Sequence, residues 1–160
     1  MMKIPTSFER KKLFEKYGTP LAVQAHCNAV ATKALLLASG ITSAPVNTRL
    51  LQAACQLHDI ARHMEGNHAL WGAELLLREG YQEVSKIVAV HHDLPAKSAL
   101  EAQLLYLADK LVLGTESVSL EERFAASKGK CRTAKARESW QRRRRDAFMV
   151  MEQYQLNIEN

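Results

Sequence analysis

Proline and glycine punctuate this chain so sparingly that little except helix fits between them. Four prolines and seven glycines occur in 160 residues, and most fall where apolar residues at three- and four-residue spacing stop recurring. Thr19-Pro20 opens a predicted helix to about Ser39, with Gly40 as its stop. Ala44-Pro45-Val46-Asn47 reads as a loop, and Asn47 is suited to cap a helix over about Thr48–His63. Asn67 caps a third over His68–Glu79, stopped by Gly80. A fourth covers about Gln82–His91 and ends before Leu94-Pro95, because the residue before a proline avoids the helical region. A fifth spans about Ala99–Leu113 and stops at Gly114; a short one follows over Ser119–Ser127, then a long one over about Thr133–Tyr154. A further helix is expected before Tyr17.

No segment alternates with period two and β-branched enrichment, and Val88, Val90, Val112 and Val118 lie in helical patterns. The predicted fold is therefore an all-α, single-domain helical bundle. The length suits one domain, and 47% hydrophobic residues suit a packed core. The apolar stretches are short and interrupted, so no membrane span is expected. Met1–Lys12 is polar and charged, unlike a secretory leader. Cys27, Cys55 and Cys131 are too few and too scattered for a disulfide framework or a zinc ribbon. They read as reduced, mostly core-facing thiols, and a cytoplasmic location is expected.

The net charge of +5 is concentrated at one end. Residues 1–127 carry 13 basic and 13 acidic side chains, and residues 128–160 carry 9 and 4, so the second stretch holds the whole excess. All six histidines lie between positions 26 and 92. Chemistry-bearing histidines and basic residues thus occupy different parts of the chain.

Several of those histidines lie on apolar faces. His26 has Ala22, Val23, Ala29 and Val30 one turn to either side. His58 has Ala54, Cys55 and Ala61 around it, with Asp59 about 100° further round the helix. Asp109 is flanked by Leu105, Tyr106, Val112 and Leu113. Buried carboxylates are costly unless paired or bound to a cation. A metal between helices explains two inward aspartates and two inward histidines together, and imidazole with carboxylate suits iron, manganese, zinc or cobalt. Any one of these histidines alone reads as a hydrogen-bonded core residue. The ordered set carries the signal: His26, His58-Asp59, His68, His91-His92, Asp109.

That set, in "QAHCNAVA", "LLQAACQLHDIAR" and "LLYLADKLV", resembles the HD-domain superfamily of metal-dependent phosphohydrolases, over about Leu21–Phe124. "NHALWGAELLLREGY" and "KIVAVHHDL" are similar to stretches of a smaller group that carries extra histidines and binds two metals. The small six-histidine form is similar to symmetrical diadenosine tetraphosphate hydrolases, which have one histidine followed by Thr where this chain has His91-His92-Asp93. The domain reading is an HD domain over 1–127, with the basic C-terminal helix in 128–160 packed on the same domain. It implies one or two divalent ions per chain, iron or manganese ahead of cobalt, zinc, nickel or magnesium. His26, His58, Asp59 and Asp109 would hold the first ion. Asp59 would bridge to a second held by His68 and His91, and His92 would be a further ligand or a substrate contact. His63, near the end of its predicted helix, is expected to face solvent. Gly72 would allow close approach of another helix or of substrate.

The reaction implied is hydrolysis of a small phosphorylated substrate, a nucleotide among the candidates, by a metal-activated water, with two ions about 3.5–4 Å apart. Asp59, Lys110 and Arg62 are the expected catalytic group, the two cations holding phosphate oxygens, with Arg123 a third cation of that kind. Lys110 and Arg62 read equally as ion-pair partners of Asp109 and Asp59. Two other functions fit parts of the chain. A di-iron oxygenase would use His68 and His91 equally well. A nucleic-acid-binding module would use Lys128, Lys130, Arg132, Lys135, Arg137 and Arg142–Arg145 on phosphates. Few aromatics beyond Trp140 and Phe148 interleave with those charges, which favours a solvated helix face. Phe148, Val150, Met151 and Tyr154 can dock that helix on the domain or on a second copy in a homodimer.

Overall fold

Five helices begin on a side chain that accepts a hydrogen bond from the backbone N–H three residues on. A computed structural model, which describes residues 1–156, places Thr6 before α1 (Ser7–Tyr17), Asn47 before α3 (Thr48–Leu57) and Asn67 before α4 (His68–Arg78). Ser119 and Thr133 do the same for α7 (Leu120–Lys128) and α8 (Ala134–Gln153). Each such cap satisfies a donor that a helix start leaves open. Pro20 precedes α2 (Leu21–Ser39), Tyr81 precedes α5 (Gln82–Val88) and Ala99 precedes α6 (Leu100–Lys110). The all-α expectation holds: the described residues form eight helices and one two-stranded hairpin, β1 (Val112–Leu113) with β2 (Glu116–Ser117).

α2, α3 and α6 pack on one another through the middle of the molecule, α5 closes against α3, and α4 lies on α5. Leu51, Ala54, Leu57, Leu104, Leu105 and Leu107 are fully buried there. α8 crosses α6 and α7, burying Ala147 and Val150. Its partly buried Trp140, Phe148, Met151 and Tyr154 lie against the same core. Tyr106 of α6 donates its hydroxyl to the carbonyl of Arg143 in α8, at 3.0 Å. Contrary to the expectation that every apolar stretch is too short, α2 is long and apolar enough to cross a membrane by length and composition. In this fold it is a central helix, with Cys27, Val30, Ala31, Ala34, Leu37 and Ala38 buried.

Three predicted helices end early, each at the site described below. α3 stops at Leu57 instead of His63, and the chain continues in turns bonded three residues apart: Ile60 to Leu57, Arg62 to Asp59, Met64 to Ala61. The His58 ring is the reason. Its Nδ1 donates to the Cys55 carbonyl at 2.7 Å, the acceptor that Asp59 N–H would use in a continuing helix. α5 ends at Val88 instead of His91, and His91 Nδ1 likewise donates to the Val88 carbonyl at 2.8 Å. α6 ends at Lys110 instead of Leu113, because Gly114 takes a left-handed φ of 61° and turns the chain into the hairpin. Val112 pairs with Ser117, and Val118 N–H bonds the Leu111 carbonyl. The two-residue loop Gly114-Thr115 has the glycine-first chemistry of a primed hairpin turn, a signal present in the sequence that helical periodicity overrode.

Candidate metal centre

Asp59 sits at the middle of the site with its two oxygens turned to different histidines. Oδ2 is 3.6 Å from His58 Nε2 and 3.9 Å from His26 Nε2. Oδ1 is 3.1 Å from His68 Nε2 and 3.4 Å from His91 Nε2. Asp109 Oδ1 completes the first side, 3.2 Å from His26 Nε2 and 3.4 Å from His58 Nε2. His92 completes the second: its ring centre is 4.3 Å from both the His68 and His91 rings. Two groups therefore share Asp59, one with His26 and His58, the other with His68, His91 and His92. Neither includes a cysteine; Cys27 and Cys55 are buried in the core, and His63 is exposed.

The protein fixes which nitrogen His26, His58 and His91 offer. A carbonyl can only accept, so the Nδ1 contacts of His58 and His91 place the proton on Nδ1. His26 does the same toward the Gly114 carbonyl at 2.7 Å, which ties the hairpin to the site. With the ring neutral, as a metal ligand must be, Nε2 is then a lone pair facing a carboxylate oxygen. His58 Nε2, Asp59 Oδ1, His68 Nε2 and His91 Nε2 are buried without a hydrogen-bond partner. Orphaned buried acceptors each cost on the order of 1–3 kcal/mol, and the three acceptors among these, His58 Nε2, His91 Nε2 and Asp59 Oδ1, call for a cation. The donor set thus fits divalent metal ions: His26, His58, Asp59 and Asp109 on one side, Asp59, His68, His91 and His92 on the other.

Burial works to raise the Asp59 carboxyl, but the facing imidazoles of His68, His91 and His58 outweigh it and hold the group well below its ordinary range. Burial likewise opposes ionisation of Asp109, and the Lys110 ammonium outweighs it. His92 is pushed down to about 3, first by burial and then by His91 and His68, which keeps the ring neutral at neutral pH.

The expected catalytic cations have defined partners. Arg62 Nη1 donates to Asp59 Oδ2 at 3.0 Å, with a mostly exposed side chain. Lys110 is buried; its Nζ donates to the His91 carbonyl at 3.0 Å and to Asp109 Oδ2 at 3.2 Å, and sits 4.1 Å from the centre of the Tyr106 ring. It joins the end of α6 to the His91 turn, so its ion-pair reading is realised. Gly72 of α4 lies against this framework: a Cβ there would sit 3.2 Å from Ile60 and 3.5 Å from Val88. Its close approach is to packed helix and turn, not to substrate.

Beside the site a cavity of about 490 Å³ runs from His68, His92 and Asp109 to α7 and α8. Arg62, Lys110 and Arg123 line it, and so do Lys130 and Arg143 from the basic end of the chain. Asp93 is the link that sequence reasoning missed. It accepts from Arg143 Nε and Nη2, both at 2.9 Å, and from Arg142 Nη2 at 2.7 Å, clamping the His91-His92 turn to α8. The sequence signal was an acidic residue directly after the paired histidines and the uninterrupted run Arg142–Arg145 in a helix whose later positions are apolar.

The HD domain family model matches residues 23–113, and the chain belongs to the HD-domain family. HD domains bind divalent metals and are generally hydrolases, which accords with the histidine–aspartate cluster. No curated protein and no solved structure matches the chain.

Proposed function

We propose that this protein is a metal-dependent phosphohydrolase acting on a nucleotide or another small phosphate ester or anhydride. The observation that supports it best is the shared Asp59: a buried carboxylate between two groups of imidazoles, with the His58, His68 and His91 Nε2 atoms unpartnered, beside a cavity walled by cations. Divalent ions held there would supply Lewis acidity and an acidified water for attack on phosphorus. The chain's own residues do the rest. Asp59 and Asp109 provide the negative charge that retains the ions. The backbone carbonyls of Cys55, Val88 and Gly114 hold the His58, His91 and His26 rings in the ligating tautomer. Lys110 fixes Asp109 relative to His91, and Arg62, which lines the cavity while bonded to Asp59, would meet phosphate oxygens.

The test is elemental analysis of protein purified without chelator, coupled to phosphate release from a panel of nucleotides, dinucleoside polyphosphates and phosphomonoesters with iron, manganese or cobalt supplied. Near two ions per chain with metal-dependent phosphate release is the expected result. Bound iron with oxygen uptake and no phosphate release would move the site to oxygenase chemistry. Absence of both metal and turnover would leave the histidines structural.

A further inference from the structure

The cavity is larger than one phosphoryl group requires, and its charge is not all spent at the metal end. Its volume of about 490 Å³ lies within the range of sites that enclose a whole small molecule. Five cationic side chains and one carboxylate, Asp109, face it. Three of the cations are committed: Arg62 to Asp59, Lys110 to Asp109, Arg143 to Asp93. Arg123 and Lys130 have no acidic partner among the described residues, and the Arg123 Nε is buried without a hydrogen-bond acceptor. A half-buried guanidinium with an orphaned N–H, beside a lysine on the same wall, lacks only an anion.

We infer that this α7–α8 wall is a second anion subsite, in which Arg123 and Lys130 hold a phosphoryl group of the substrate other than the one attacked. The substrate class is then small molecules bearing at least two phosphoryl groups, one at the histidine–aspartate end of the cavity and one against α7 and α8. The basic end of the chain contributes to substrate selection through Lys130, while Arg143 holds the wall in place through Asp93. This rests on the phosphohydrolase reading for what happens at the metal end, but the subsite itself can be tested without turnover.

The probes are inorganic tripolyphosphate and orthophosphate, titrated calorimetrically into the metal-loaded protein as purified. The quantity read is the ratio of the two affinities in wild type, Arg123→Gln and Lys130→Gln. Chelation of metal by tripolyphosphate is common to all three proteins and cancels in the comparison. The wild type should prefer tripolyphosphate, and each substitution should reduce that preference by about tenfold, as loss of one charge-assisted contact does. A substitution that only perturbs the fold would weaken both anions and leave the ratio unchanged, which overturns the subsite; so does a wild type without preference. Lys130 is exposed, so its variant tests the idea even if Arg123→Gln folds poorly. A preference that falls in both variants, in a protein that releases phosphate from no substrate of the panel, would keep the subsite and overturn the hydrolase reading.

Discussion

Asp59 carries more of the site than any other residue, because each of its oxygens answers to a different pair of histidines. Asp59→Asn keeps the size of the side chain and removes the charge, so both ligand groups are weakened together. The expected outcome is loss of most bound metal from both sites and loss of turnover, measured by elemental analysis after dialysis. His68→Ala, which touches only the Oδ1 side, should cost about one ion of two. Equal metal loss in the two variants would remove the sharing role. At this scale the sequence is informative: His26, His58, Asp59 and Asp109 stand out as an ordered set of polar groups on or beside apolar faces, although any one of them alone reads as a core residue. What the sequence does not show is which ring nitrogen is offered. That depends on carbonyls that become available only where a helix ends, and in the cases of His58 and His91 the ring itself helps to end it.

The elements hold these residues by close packing and by one clamp. Gly72 lets α4 lie directly on Ile60 and Val88, and the Ile60 carbonyl is further held by the Thr19 hydroxyl at 2.9 Å. A methyl at Gly72 gains up to about 1 kcal/mol of helix propensity. It also forces buried neighbours apart, at a cost of about 1–3 kcal/mol. Ile60 is fully buried and anchored, so the packing cost should win. Gly72→Ala is expected to destabilise by about 1 kcal/mol in urea unfolding, and to weaken metal retention because the His58-Asp59 turn must shift. The Asp93 clamp predicts a pH effect. Arg143 and then Arg142 hold the Asp93 carboxyl well below its ordinary range, against the effect of burial. A depressed folded value means that the stabilisation is complete above the unfolded pKa of about 4 and is lost as pH falls toward the folded value. Because Asp93 is nearly half exposed, solvent screening limits the clamp to about 1 kcal/mol or less. The stability gap between wild type and Asp93→Asn, both metal-free, should be present at pH 7 and shrink below about pH 4. A gap that widens toward acid would reverse the assigned sign. Helix identities are legible from Gly and Pro punctuation, but the endings of α3, α5 and α6 are not, because tertiary hydrogen bonds and a glycine turn decide them.

Across the whole molecule, two features far apart in sequence meet: a charge-balanced stretch containing every histidine, and a basic end that folds back to wall their cavity. The charge split is plain in the sequence, whereas the return of α8 depends on Tyr106, Trp140 and Asp93 finding partners across the fold. The metal-free protein must keep a cluster of converging acceptors in its core, and the unfolded chain need not. Ions that bind only the folded form stabilise it by about 2.7 kcal/mol at a concentration 100 times their Kd. For a domain of this size that corresponds to a Tm shift of roughly 5–10 °C. Treatment with chelator should therefore lower the Tm by about that amount, and adding manganese or iron back should restore it. In Asp59→Asn the same treatment should change the Tm little, because the ions are already lost. If chelator leaves the wild-type Tm unchanged, the orphaned nitrogens are tolerated without a cation. If chelator shifts Asp59→Asn as much as wild type, the stabilising metal is bound elsewhere on the chain. Only a shift confined to proteins with Asp59 intact ties the stability of the fold to the site at its centre.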